Sequence, residues 1–272
     1  MTVLVEFLSN QYLFFAGVSR EWRHAWGNRP KTARAITADT TASQLQWSFD
    51  GGLGNNSRTT CSEAASSGNL EILQWARGKN CPWDEATCSK AAGGGHLGIL
   101  QWARDRGCGW DETTCSEAAD SGHLDILRWA RSKGCPWGGR TCSNAAGGGH
   151  LGIVLKWARS NGCPWNEDTC TSAAAAGHLH ILQWLRVQGC PWDGGTCCEA
   201  ARCGRFQVLK WARRNGCPWD QRTCTGAALK KRLDILQWAR AEGCPWDQLT
   251  YRTAERCADK DLTEWIRRSG CP

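Results

Sequence analysis

Cys81 and Cys88 bracket the stretch CPWDEATC. Two thiols so close in sequence suit three chemistries: zinc ligation, a disulfide, or small core residues. A closed zinc site needs further ligands and usually pairs cysteines about two to four residues apart. Here six residues intervene, and His96 lies eight beyond Cys88. A Cys81–Cys88 disulfide would close a short loop worth about 2–3 kcal/mol. Free cysteine is a small hydrophobe and among the most buried residue types, so reduced, buried thiols are the expectation, with no metal and no cofactor. GGGHLG, at Gly93–Gly98 and again at Gly147–Gly152, has the glycine spacing of a dinucleotide loop. It follows a helical stretch rather than a strand, and so lacks the context such a site needs. HExxH, Walker A and GxSxG are all missing, so no catalytic reading is supported and the chain is not expected to be an enzyme.

The cysteines must be placed by something regular, because they recur. One column runs Cys61, Cys88, Cys115, Cys142, Cys170, Cys197, Cys224, and another Cys81, Cys108, Cys135, Cys163, Cys190, Cys217, Cys244, Cys271. Tryptophan repeats in step, from Trp47 through Trp75 and Trp102 to Trp265, and from Trp83 through Trp110 to Trp246. The interval is 27 residues, lengthened to 28 between Trp47 and Trp75 and between Trp129 and Trp157. A fixed period of this size marks a stacked-repeat protein.

Each unit reads as two short helices. In WDETTCSEAADSGHLDILRWARSKGC (Trp110 to Cys135), Asp111 is a good N-cap for a narrow helix carrying Thr114, Cys115, Ala118 and Ala119. Gly122 suits the left-handed residue that ends it. Leu124, Ile126, Leu127 and Ala130 then give a second, broader helix one apolar stripe. Tryptophan on this helix is expected to contribute to the core between units, while the loop column from Trp83 onwards is a staple between units or an exposed ridge. Stacked copies bury a core that no single copy could bury alone.

The motif TCSxAAxxGHLxILxWARxxGCPWD resembles the ankyrin repeat, from its Thr through Ala-Ala and Gly-His to the second-helix apolar residues and closing Gly. Ankyrin units run to about 33 residues, and the residues missing here are those of the projecting hairpin finger. The resemblance therefore implies an all-α, helix-turn-helix repeat solenoid with short loops instead of β-hairpin fingers. It also implies that His96, His123, His150 and His178 hydrogen-bond backbone, and that the function is non-catalytic protein–protein interaction through a concave inner-helix face. The expected organisation is an N-terminal helical segment over 1–33, a degenerate repeat over 34–57, seven repeats over 58–247 and a partial capping repeat over 248–272. In the last copy Lys260 replaces the usual Leu, as a polar cap requires. The chain stops inside the motif at Cys271-Pro272, either at the end of the array or at a truncation.

Partner information must lie where units differ, at exposed positions on the first helix. Glu63, Lys90, Glu117, Asp120, Glu199, Arg202, Leu229, Lys230 and Arg256 are the candidate partner-binding residues. An arginine two residues after each second-helix tryptophan, Arg77 to Arg267, could make a basic ridge for single-stranded nucleic acid. The alternative is that these stems cover tryptophan faces, which makes nucleic acid a minor expectation.

Residues 3–26 fall outside the repeat. Their apolar spacing and LxxxxVSRxW resemble the latter part of an F-box. That implies docking to a Skp-type adaptor of a cullin ubiquitin ligase through Leu4, Leu8, Leu13, Val18 and Trp22, with a plain cap as the other reading. The segment lacks the basic start and cleavage site of a signal peptide, and no apolar run is long enough for a membrane span. An intracellular, cytoplasmic protein with reduced thiols is expected. The net charge is +7, with 15 Lys and Arg against 9 Asp and Glu from Gly194 onwards. Intact mass spectrometry under native conditions should give the mass of a chain with all 18 thiols reduced and no zinc. A deficit of two daltons per unit, or bound zinc, would contradict the reading.

Overall fold

Short helices of eight to ten residues are marginal alone, so packing must hold them. The computed structural model describes residues 37, 39–41 and 59–271. The expectations for residues 1–33, including Leu4, Leu8, Leu13, Val18 and Trp22, lie outside the described residues, as does most of 34–57. The chain divides into two compact units, residues 1–110 and 111–272. The first contains α1 (Thr59–Ser66), α2 (Leu70–Gly78), α3 (Glu85–Gly93) and α4 (Leu97–Asp105). The second contains α5 (Glu112–Asp120), α6 (Leu124–Ser132), α7 (Gly139–Gly147), a π-helical turn (Leu151–Leu155) and α8 (Lys156–Ser160). It continues with α9 (Glu167–Ala176), α10 (Leu179–Val187), α11 (Gly194–Arg202) and α12 (Phe206–Arg214), then α13 (Gln221–Leu229), α14 (Leu233–Ala241), α15 (Gln248–Arg256) and α16 (Lys260–Arg268). No strand occurs among the described residues. This is the expected all-α helix-turn-helix repeat with short loops, and the last copy, α15–α16, is a complete helix pair.

The caps follow the sequence. Asp84 Oδ1 accepts from Ala86 N at 3.1 Å and Asp111 Oδ1 from Thr113 N at 2.9 Å, satisfying amide groups that the first turn leaves free. Gly122, at φ +81°, turns the chain into α6. A Cβ there would stand 2.7 Å from His150 Cε1 of the following turn, so glycine is required by the backbone and by its neighbour alike.

Within each unit the first helices lie side by side, α1 beside α3, and α5, α7, α9, α11, α13 and α15 in succession. Their contact faces are Thr, Cys and Ala, fully buried from Cys88 and Ala91 to Cys224 and Ala227. Only side chains this small let helices approach closely. The second helices bury a different set, such as Ile126, Leu127 and Ala130. Their tryptophans, expected in the core, are only half-buried. At about 100° per residue, Trp129 and Leu124 fall on opposite flanks of the stripe made by Ile126, Leu127 and Ala130.

The 28-residue interval between Trp129 and Trp157 is absorbed inside one second helix. Leu155 N bonds His150 O at 3.0 Å, and Lys156 N–H bonds Leu151 O. This wider turn takes up the extra residue and returns Trp157 and Cys163 to the register of the other copies. Deleting Ile153 leaves Leu-Gly-Val-Leu-Lys-Trp, the spacing of the other copies. Urea unfolding of that variant should stay within about 1 kcal/mol of the parent. Deleting Ile126 from the regular α6 should abolish cooperative folding, because every later residue of the helix rotates off its face.

Candidate partner-binding face

The two cysteine columns meet, though not as the sequence spacing suggests. Cys81 and Cys88 belong to different pairs. Cys88 on α3 pairs with Cys108 after α4, and their thiols hydrogen-bond. Cys61 Sγ points to Cys81 O at 3.9 Å, Cys142 Sγ to Cys163 O at 4.0 Å and Cys170 Sγ to Cys190 O at 4.0 Å. The second-column thiols then donate to the backbone that caps their own copy's first helix. Cys108 Sγ reaches Asp84 O at 3.3 Å, and Cys135 Sγ reaches Asp111 O at 3.4 Å. Burial and neighbouring Cys81 push the Cys61 thiol up to about 12. Cys115, Cys142, Cys170, Cys197 and Cys224 are likewise raised, first by the hydrogen bond to the paired thiol and then by burial. The same bond holds Cys108, Cys163, Cys190 and Cys244 below the ordinary thiol range. These six first-column thiols are therefore protonated core residues at neutral pH, not nucleophiles. No cluster of three or more His, Cys, Asp or Glu fit for a metal occurs among the described residues.

The outer side is closed by a chain of rings and guanidinium groups. In the first unit the Arg77 guanidinium lies 4.2 Å from the Trp83 ring centre, and Trp83 meets Trp102 of α4 edge-on at 5.8 Å. In the second unit Arg131, Trp137 and Trp157 repeat this, as do Arg159, Trp165 and Trp184, and the series continues to Arg240, Trp246 and Trp265. Arg104, Arg131 and Arg186 also donate to the carbonyls of Cys108, Cys135 and Cys190. The loop tryptophans are thus staples between successive second helices. The arginine stems of this series cover their own tryptophans and reach carbonyls, the alternative to a basic ridge.

The turn residues staple the opposite edge. His96 Nε2 pairs with Ser66 O at 3.2 Å, His150 Nε2 with Asp120 O at 2.9 Å and His178 Nε2 with Gly147 O at 3.1 Å. Asn69 does the same with Thr40 O at 2.8 Å, and Arg205 with Ala175 O at 3.0 Å.

The outward side of the first helices carries the residues that differ between copies. In the first unit Glu63 on α1 and Lys90 on α3 are exposed. In the second, Glu117 is half-buried and Asp120 exposed on α5. Glu199 and Arg202 on α11 pair with each other, Arg202 Nε donating to Glu199 Oε1 at 3.0 Å and Oε2 at 2.9 Å. Leu229 ends α13 47% exposed, Lys230 follows it and Arg256 ends α15, both exposed. Between them the equivalent positions are bare or used internally: Ser172 and Ala175 on α9 are half-buried, and Asn144 Nδ2 donates to Ser116 O at 3.2 Å. Sequence reasoning missed Arg205, Lys231 and Arg232, which flank Leu229 and Lys230 in the turns. The signal was present, since Arg205 replaces the His, and Lys231-Arg232 the Gly-His, of the other copies.

The structure is similar to that of the human ASB11 ankyrin repeat domain, at 15% sequence identity and a TM-score of 0.49, over 68% of this chain and 98% of that one. No protein-family model matches the sequence. No curated protein matches it either.

Trp165→Ala should lower stability by about 2 kcal/mol, below the fully buried range because the ring is half-covered. A double-mutant cycle with Arg159→Ala should give a coupling of about 0.5–1 kcal/mol. Glu63→Ala or Lys90→Ala should change stability by less than about 0.5 kcal/mol. Equal losses at both kinds of site would contradict the division between the staple and the varied first-helix face.

Proposed function

We propose that the chain is a non-catalytic binding module whose first-helix face recognises a protein partner. The observation that carries this is a division of labour inside each helix. Thr, Cys and Ala at the buried positions hardly change from copy to copy, while the exposed positions change from Glu63 to Lys90 in one unit and from Asp120 to Leu229 in the other. A scaffold that repeats its core and varies its surface presents a row of independent contacts, as repeat proteins do. Glu63, Lys90, Glu117, Asp120, Glu199, Arg202, Leu229, Lys230 and Arg256 are the positions that would read the partner. Among the described residues no helix is long and apolar enough to cross a membrane.

Photo-crosslinking in the full chain tests this. A benzophenone amino acid at Glu117 or Ser172 on the first helices, or at Gln183 or Gln237 on the second, reports which face meets protein. Crosslinks to a shared partner are expected from Glu117 and Ser172. Crosslinks arising only from Gln183 and Gln237 would overturn the reading. Recovery of a Skp-type adaptor with the full chain, from neither face, would assign the ligase-adaptor role to the N-terminal segment.

A further inference from the structure

Two successive turns of the second unit depart from the repeat in one direction. At Gly149–His178 the pattern is regular, a left-handed glycine packed under the imidazole of the next turn. Afterwards the imidazole gives way to guanidinium. Arg205 packs over Gly177 and Arg232 over Gly204, where a Cβ would lie 2.9 Å from the Arg232 Cζ. These contacts make neighbouring turns contiguous, and Cys257 Sγ extends the line by donating to Leu229 O at 3.4 Å. The turn glycine is itself replaced by Lys231, held at φ +56°. A lysine does not adopt that conformation without cost, whereas glycine does. Strain of this kind, kept against the local rule, points to a surface role.

Arg205, Lys230, Lys231, Arg232 and Arg256 are all exposed, around the exposed Leu229. Among the described residues none of the five has an ion-pair partner. Two of the carboxylates nearby are engaged. Glu199 is held by Arg202, and Asp259 Oδ1 caps α16 at Leu262 N, 3.0 Å away. Asp234, in the first turn of α14, is exposed. The patch keeps a positive excess with one aliphatic contact at its centre. No tryptophan belongs to it, because those rings lie in the second helices and loops, so it lacks the stacking platform that single-stranded nucleic acid uses.

We infer that this turn cluster is the docking point for an acidic protein segment carrying an apolar side chain for Leu229. The inference rests on the binding reading above and adds the partner's chemistry. Complementary charge sets partner choice and approach rate.

The test restores the repeat's own turn in the full chain. Lys230→Ser, Lys231→Gly and Arg232→His together recreate Ser-Gly-His and remove the strained residue, so the melting temperature should hold or rise. The probe is a fluorescein-labelled peptide of about twelve Glu and Asp residues with a central Leu, followed by anisotropy. The parent should bind it with affinity that falls as salt rises, and the restored turn should bind at least about tenfold more weakly. Leu229→Ser should weaken binding with little change in salt dependence. Equal affinity for parent and restored turn would overturn the proposal, as would tighter binding of an equally charged single-stranded oligonucleotide. If the proposal fails while crosslinks from Glu117 persist, the first-helix reading stands and only the acidic partner falls. Loss of both removes the reading itself.

Discussion

The close approach of successive first helices is the constraint from which the rest of each unit follows. Nine-residue helices cannot hold themselves together, so their stability comes from a contact face of Thr, Cys and Ala. Once those helices touch, the broader second helices must splay, because Ile and Leu stripes need more room than Ala and Cys. The space between successive second helices is then filled by a loop tryptophan, edge-on to one helix and under an arginine from the other. Histidines close the turn edge with bonds to carbonyls about thirty residues back. One choice of side-chain size thus accounts for the abundance of both cysteine and tryptophan.

This packing also settles what the thiols do. Cysteine fills a space slightly larger than alanine would, and from Cys108 onwards its weak S–H donor serves the carbonyl that starts the same copy's first helix. The pairing of Cys88 with Cys108 is a consequence of folding α3 against α4. The corresponding bonds in later copies raise Cys115, Cys142, Cys170, Cys197 and Cys224, which keeps them protonated. The surface left over is a set of exposed first-helix positions and turns, where a change costs the fold little.

Much of this was legible because the repeat reports itself many times over. Asp84 and Asp111 as caps, Gly122 as the turn and the arginine stems over tryptophan all follow from local chemistry. Three features were not legible. The Cys88–Cys108 pairing depends on how two helices cross, which a spacing of seven residues does not encode. Half-burial of Trp129 is a matter of angle, since the residue sits on the flank of the apolar stripe rather than at its centre. The extra residue before Trp157 was visible as an interval, but its absorption in a π-turn required the bond from Leu155 to His150. The turn cluster at Lys231 was missed for another reason: it shows only as a departure from glycine, and its consequence appears once neighbouring turns are seen in contact.

The claim that cysteine is the packing material of the first helices is tested most directly by thiol labelling of the native chain with a disulfide reagent, read by mass spectrometry against time. The account predicts that Cys198, Cys203, Cys257 and Cys271, the half-buried ones, react first, and that the fourteen fully covered thiols react only as the chain unfolds. Rapid labelling of Cys88, Cys115 or Cys142 in the folded chain would contradict it.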